Sequence, residues 1–482
     1  LLTHWVKGIV VSCWLLAVSA LYAGEPVTIS ILHTNDEHGW LSPGPASGGL
    51  VGIAARWKRD EGYPSPSTLA LSSGDMWTGQ ALSSQFKGAP MVEAMSAMGY
   101  RASAVGNHEF DFGQNILARN RAASAFPYLS ANLRGDAAFA APYVVVEVAG
   151  VKVGIIGLTI RDMPSLTVTG NIKGLEFGAY EAAVWKAAAA ARGEGAKTLV
   201  ILAHVDSESV AKLAGKIQDL GIPLLFAGHD HREFSKQVGD SWVVESGCFA
   251  QAYSRVDLTV DSETGKTLGC KVKLVKNPGG GADPAVKAVV DKWRAKPEAV
   301  ELERIIGYTR KGFAKPQPLH GMVARSWLWA FPEADVVFCN SGGVRQNIAP
   351  GPITVGEIFG VLPFDNTIYE VKLSGKQLLE DLELKGLFQA GVKRKGAGFV
   401  LVKSGKPIVP EGSYRVLVNS FMYLGGDGCP FKLQDPKGRD TGAQFRRPLL
   451  DWISALGGTA ATPLEDVPAA AALLGDEKQH HR

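Results

Sequence analysis

"VTISILHTNDEHG", residues 27 to 39, starts as an apolar, β-branched run and ends in a cluster of polar side chains, Asn35, Asp36 and His38 among them. The same change of character recurs four times: in "TLALSSGD" ending at Asp75, "ASAVGNHEF" ending at Phe110, "TLVILAHVD" ending at Asp206 and "IPLLFAGHDH" ending at His231. Between these runs lie helix-period segments such as "EAAVWKAAAAARGEG" and "ESVAKLAGKIQDL", and one hairpin, "YVVVEVAGVKVGIIGL", that turns at Ala149 and Gly150. Strands alternating with helices predict an α/β layout in which helices cover the sheets. In open α/β sheets the working residues lie beyond the carboxyl ends of the strands. All five runs end in potential ligands.

Asp36 and His38 are two apart at a strand end, so an extended backbone would send both to one side. Gly74 lets the chain turn sharply into Asp75, and Asn107, His204, His229 and His231 complete a set of seven. Oxygen and imidazole ligands without thiolates suit zinc, manganese, iron or cobalt in a hydrolytic role. Seven donors exceed the needs of one tetrahedral ion and suit two divalent ions that share a carboxylate. His108 is not expected as a ligand. It stands three residues before Asp111, a carboxylate that can accept its ring N–H and favour the imidazolium. Glu109 reads as a salt-bridge or helix-start carboxylate.

The composition limits the function classes. With 482 residues, 46 % of them hydrophobic, the chain exceeds what one core usually supports, so two domains are expected. Lys and Arg number 50 against 47 Asp and Glu, a net charge of +3, which offers no bulk field for nucleic acid. Residues 1–24 have Lys7, an apolar run from Gly8 to Ala23 and small residues near a cleavage point between Ala20 and Gly24. That is the layout of a secretory signal peptide, which predicts a periplasmic or secreted protein with no stable membrane insertion after cleavage. Export permits disulfides among Cys248, Cys270, Cys339 and Cys429, and Cys248 with Cys270, flanking a strand and a turn, is the expected pair. Met91, Met95 and Met98 at helical spacing are core residues, as is the alanine run 187–191. No internal repeat is present, and the sequence carries no signal for oligomeric state.

The order D-x-H, G-D, G-N-H-E, H, G-H-x-H resembles the calcineurin-like metallophosphoesterases. The closer resemblance, through "LHTNDEHG", "SSGDMWTG" and "GNHEFDFG", is to the bacterial exported 5′-nucleotidase / UDP-sugar hydrolase family, and "NSGGVR", "PITVGEIFGVLPFDNTIYEVKLSG" and "NSFMYLGGDG" are similar to that family's C-terminal domain. It extends from about Ile29 to Phe431. The resemblance implies an α/β metallophosphoesterase β-sandwich flanked by helices at 25–276, a linker helix at 277–306 after the break "NPGGGADP", a smaller α+β substrate-binding domain at 307–460 and a loose tail at 461–482. It puts Asp36, His38, Asp75 and His231 on one ion and Asp75, Asn107, His204 and His229 on the other. His108 and Asp111 take the catalytic role, with hydroxide generated at the two ions as the nucleophile. His231 stands where some members carry Gln. Arg345, after the turn with Gly342 and Gly343, binds the substrate, and Phe421 and Asp427 form the nucleoside pocket. The implied activity is hydrolysis of a small-molecule nucleotide, as a 5′-nucleotidase acting also on UDP-sugars or 2′,3′-cyclic nucleotides.

One departure from the family pattern bears on the substrate. Members hold the base between two aromatic rings, the second several residues before the strand that reads here "GFVLVKSG", and in this chain that stretch, "AGVKRKGAG", carries Lys393, Arg394 and Lys395 and no ring. Either Phe399 or Phe388 supplies the ring, or the base is held differently. The basic triplet suits a more anionic substrate or a solvated loop. Two rival functions stand beside the nucleotidase reading: a thiosulfohydrolase of sulfur oxidation acting on a carrier protein, and a non-catalytic binding module that keeps the fold.

Overall fold

The computed structural model describes residues 24–44 and 47–474. The signal-peptide reading of residues 1–24 falls, but for Gly24, outside the described residues. The strand Pro26–Thr34 is central to a six-stranded sheet, between Ala252–Asp261, antiparallel to it, and Thr68–Ser72, parallel to it; Ala102–Ala104 and Tyr128–Leu129 continue the parallel side. A second six-stranded sheet places Thr198–His204 between the parallel strands Val151–Thr159 and Leu224–Phe226. Alternation decides how they pack. Ile29 and Ile31, with Leu69 and Leu71, meet Val153, Ile155, Val200 and Leu202 of the other sheet, and all are buried. Leu32 points the other way, into a layer of helices that includes Gly49–Asp60 and Ala89–Met98. Helices Tyr180–Gly193 and Ser207–Lys216 cover the far face of the second sheet. The result is the expected helix-flanked sandwich. The hairpin turns where the sequence indicates, with Ala149 and Gly150 both left-handed.

Met91, Met95 and Met98 are buried in the first helical layer. Helix Pro284–Arg294 packs there too, through Val286, Val289 and Val290, so it belongs to the first core, and the chain crosses to a second core just before Leu302. That second core surrounds a five-stranded mixed sheet in the order 387–390, 336–340, 413–419, 367–374, 439–444. Helices Leu319–Ala330 and Arg447–Leu456 cover one face.

Three expectations fail. Among the described residues Cys248 and Cys270 are free, as are Cys339 and Cys429. Cys270 pairs with Leu258 deep in a hairpin, whereas Cys248 precedes that hairpin's first residue, Ala252, so about 20 Å of strand separates them, far beyond the ~7 Å between Cα atoms that a disulfide spans. The tail is not loose as far as it is described: Leu464, Ala470 and Leu473 are fully buried, and Arg325 donates to the carbonyls of Leu473 and Leu474. Lys393, Arg394 and Lys395 are not a loop. They form the strand Val392–Lys395, paired with Gly398–Leu401 in a separate two-stranded hairpin.

Candidate metal centre

All seven predicted ligands meet at one end of the sandwich. Five sit on turns that follow the strands, and not in extended backbone as the D-x-H spacing suggests: Asp36, His38, Asp75, His229 and His231 have positive φ, between 47° and 82°, whereas His204 closes the strand Thr198–His204 and Asn107 is right-handed. Left-handed backbone costs a non-glycine residue on the order of 1–3 kcal/mol and persists only where surroundings impose it. Here the backbone imposes it. The Asp36, His38 and Gly39 amides donate to the carbonyls of Gly74, Asp75 and Met76, zipping two ligand turns together. Gly106 is required beside them, because a Cβ there would lie 2.1 Å from Asp75 Oδ1.

Among the described residues the side chains form overlapping groups. Asp36, His38 and His231 form one, Asp75, His204 and His229 another, and His38, Asp75 and His108 also come close enough to share a cation. Asp75 Oδ2 lies 3.1 Å from His204 Nε2 and 3.9 Å from His38 Nε2, between the two groups, while its Oδ1 accepts the His108 amide at 2.8 Å. Asn107 Oδ1 faces His204 Nε2 at 3.1 Å and His229 Nδ1 at 3.0 Å.

Hydrogen-bond bookkeeping tests whether cations fit. His38 Nδ1 lies 2.7 Å from the Thr78 carbonyl and His204 Nδ1 2.9 Å from the Ser73 carbonyl. A carbonyl only accepts, so each Nδ1 carries the proton and each neutral ring turns its Nε2 lone pair inward. Around His204 Nε2 the neighbours are then carboxylate and amide oxygens, acceptors all. Asp36 Oδ1 is fully buried with no hydrogen-bond partner among the described residues, although Oδ2 accepts from Asn35 Nδ2 and the His229 amide. A buried carboxylate oxygen without a donor is costly unless a cation meets it. Without one, protons take that place. Burial opposes charge on His204, but Asp75 outweighs it and raises the ring to about 9; burial likewise opposes charge on His231, and Asp36 raises it to about 10. The donor set therefore fits divalent metal.

His108 lies against the ligands, its Nε2 3.9 Å from Asp75 Oδ2, as near as His38 Nε2 is. Its Nδ1 lies 2.8 Å from Asp111 Oδ2; burial works against its charge, and Asp111 and Asp75 together raise its pKa above the ordinary value. Glu109 does what its sequence reading missed. It is fully buried, and its carboxylate accepts three backbone N–H bonds, from Asp75, Met76 and Gly106 at 2.7 to 2.9 Å, so it ties the two ligand loops together. Nothing in "GNHEFDFG" marks that role, because the partners are distant amides.

The second domain meets this centre across a cavity of about 440 Å³. Asp75, Asn107, His108, His229 and His231 of the first domain and Gly342, Gly343, Arg345, Phe421 and Asp427 of the second are among its lining residues. Arg345 reaches over to place Nη2 3.4 Å from His38 Nε2. Phe364, absent from the sequence reading, stacks on the His108 ring with centroids 5.6 Å apart, and the Arg345 guanidinium lies 6.0 Å from its centre. Lys315, also missed, donates to the carbonyls of Val344 and Arg345, fixing the backbone that carries the arginine. A relay of amides fixes Asp427. Asn419 Oδ1 accepts from the Met422 amide, its Nδ2 donates to Asn340 Oδ1, and Asn340 Nδ2 donates to Asp427 Oδ2 at 2.8 Å, which leaves Asp427 an acceptor. Phe388 and Phe399 are elsewhere: Phe388 stacks on His320, and Phe399 lies under Arg394.

Residues 300–434 match the model of the 5′-nucleotidase C-terminal domain. The crystal structure of a 5′-nucleotidase precursor from Thermus thermophilus superposes with a TM-score of 0.78, covering 90 % of this chain and 97 % of that one at 25 % identity. Residues 300–434 thus carry a 5′-nucleotidase C-terminal domain, and the chain as a whole resembles 5′-nucleotidases. The 5′-nucleotidase of Vibrio cholerae is 25 % identical over 90 % of this chain and 91 % of its own length. The endonuclease YhcR of Bacillus subtilis is 27 % identical over 83 % of this chain but only 37 % of its own length, so this chain spans little more than a third of that relative. The sulfate thiohydrolase SoxB of Thermus thermophilus shares the fold, at 19 % identity and a TM-score of 0.71 over 89 % of this chain and 94 % of that one.

Proposed function

We propose that the protein is a metal-dependent phosphoesterase that hydrolyses nucleotides. One observation carries this reading: a single cavity joins the His/Asp/Asn centre to Arg345, Phe421 and Asp427. Its volume suits a nucleotide-sized ligand, and its chemistry runs from cationic to aromatic and acceptor-bearing, the order of a phosphate, a base and a ribose.

Asp36, His38, Asp75 and His231 would hold one divalent ion and Asp75, Asn107, His204 and His229 the other. Bound there, such a pair supplies Lewis acidity toward the phosphoryl oxygens and lowers the pKa of water. Arg345 forks onto the phosphate and, with the His108 imidazolium, stabilises charge that develops on its oxygens. Asp111 keeps the His108 proton on Nδ1 and the ring charged, while the Phe364 face stiffens both cations and keeps water from them. Phe421 packs on the base. Asp427, turned outward by Asn340, accepts from ribose hydroxyls. Export is the matching proposal for location, supported by the apolar run Gly8–Ala23 and by the description of the Thermus relative as a precursor. Among the described residues no helix is long and apolar enough to cross a membrane.

The test is phosphate release by the metal-loaded chain from AMP, UDP-glucose, a 2′,3′-cyclic nucleotide and bis-p-nitrophenyl phosphate. A nucleotide is expected to be the best substrate, with kcat reduced about a hundredfold or more in His108→Asn while metal content is kept. Turnover of the artificial ester alone would leave the metal centre standing and remove the nucleotide.

A further inference from the structure

A base has two faces, and Phe421 covers only one of them. The Phe421 ring lies flat against Gly426, where a Cβ would come within 2.4 Å of it, and Phe421 lines the cavity. The remaining large apolar side chains around the cavity are Phe364, Leu166 and Val168. Phe364 is taken by His108 and Arg345 at the phosphate end. Leu166 and Val168 come from the other domain, on a short segment that crosses the interface, and the helical turn Met163–Leu166 packs against the Gly426–Gly428 turn that carries Asp427.

This segment is held rigidly. Met163 and Ile172 bury at its two ends in the first core, the Thr167 amide donates back to the Met163 carbonyl, and Asn171 Nδ2 donates to the Asp111 carbonyl at 3.0 Å. It therefore moves with the His108–Asp111 loop and not with Phe421.

We propose that Leu166 and Val168 form the second wall of the base site, so that the nucleobase is gripped between Phe421 of one domain and an aliphatic wall of the other. This deepens the nucleotide reading and rests on it. Base recognition then requires the two domains to be apposed as they are here, and the wall that reads the base is anchored to the loop that carries His108.

Comparison of AMP with ribose 5-phosphate, the same ester without a base, isolates the wall. In the metal-loaded full chain, Leu166→Ala combined with Val168→Ala is expected to raise KM for AMP about tenfold and to leave kcat and KM for ribose 5-phosphate within about twofold, as expected for the loss of aliphatic packing on one base face. Leu166→Phe, which offers a ring in place of the aliphatic wall, is expected to lower KM for AMP. Unchanged AMP kinetics in the double variant, alongside a loss in Phe421→Ala, would overturn the wall and leave the nucleotidase reading intact. Equal fading of both substrates would overturn it as well, since general damage and not base contact would then be at work. Equal use of both substrates by the unaltered chain would remove the base site and the nucleotide reading together.

Discussion

The two ends of the cavity are built in opposite ways. At the metal end, seven donors lie at or just after strand ends of one sandwich; five of them sit in left-handed backbone, and backbone hydrogen bonds tie the Asp36–His38 turn to the Asp75 turn. At the other end, Asn340 closes a strand of the second domain, Phe421 and Asp427 lie on two short helical turns of it, and Leu166–Val168 of the first domain line the same cavity. Chemistry that must not vary is placed on consecutive strand ends. Recognition is left to an interface, where a few substitutions or a small domain shift change the fit.

The contrast is broken most directly at Asp75, whose two oxygens serve both metal groups and the His108 amide. Asp75→Ala is expected to lower metal content per chain and to cut kcat by about a thousandfold or more, the scale of removing preorganised transition-state electrostatics. Metal analysis after gel filtration checks the first and steady-state kinetics the second. Full metal occupancy in that variant would mean that the two groups do not share a carboxylate, and the metal end would be less tightly integrated than its hydrogen bonds indicate.

A smaller effect concerns protons. In the cation-free chain His204 and His231 are raised to about 9 and about 10 by Asp75 and Asp36 against the cost of burial. A histidine raised on folding contributes stability that is complete below its unfolded value near 6.5 and is lost as pH climbs through its folded value. The metal-free chain is therefore expected to lose melting temperature between pH 7 and 10. A cation needs neutral rings and displaces those protons, so its binding strengthens over the same range. The gain in Tm on saturation with a divalent ion should be several degrees larger at pH 9 than at pH 6.5 by scanning calorimetry. A gain that stayed flat would put the titrating protons outside the ligand set.

How much of this was legible follows from the same contrast. Each ligand sits within a short motif that names it, as in "GHDH" or "GNHE", because a strand end fixes what comes next without help from distant sequence. Glu109 lies inside such a motif and was still misread, since its partners are the amides of Asp75, Met76 and Gly106 and a backbone N–H leaves no letter in the sequence. Phe364 and Lys315 act through contacts formed only when the domains meet or when a loop folds back on Arg345. The Cys248–Cys270 pairing failed for a related reason: proximity in sequence was read as proximity in space, while the register of the intervening hairpin carries Cys270 away.

The smallest expected effect concerns the basic triplet. Lys393, Arg394 and Lys395 are exposed on a hairpin that lines a different concavity from the one holding Arg345, with Arg394 paired to Glu383 and lying over the Phe399 ring. The phosphate end of the cavity is already supplied with Arg345 and His108. Charges on a solvated hairpin are screened over about 8 Å at physiological ionic strength, so replacing all three by Gln is expected to leave KM for AMP within about twofold at 0.15 M salt. A rise that persists when salt is increased would show that the hairpin contacts the substrate directly. A rise that vanishes with salt would instead make it a steering element, acting on arrival and not on the bound state, because only a long-range field is removed by screening while a contact inside the cavity survives it.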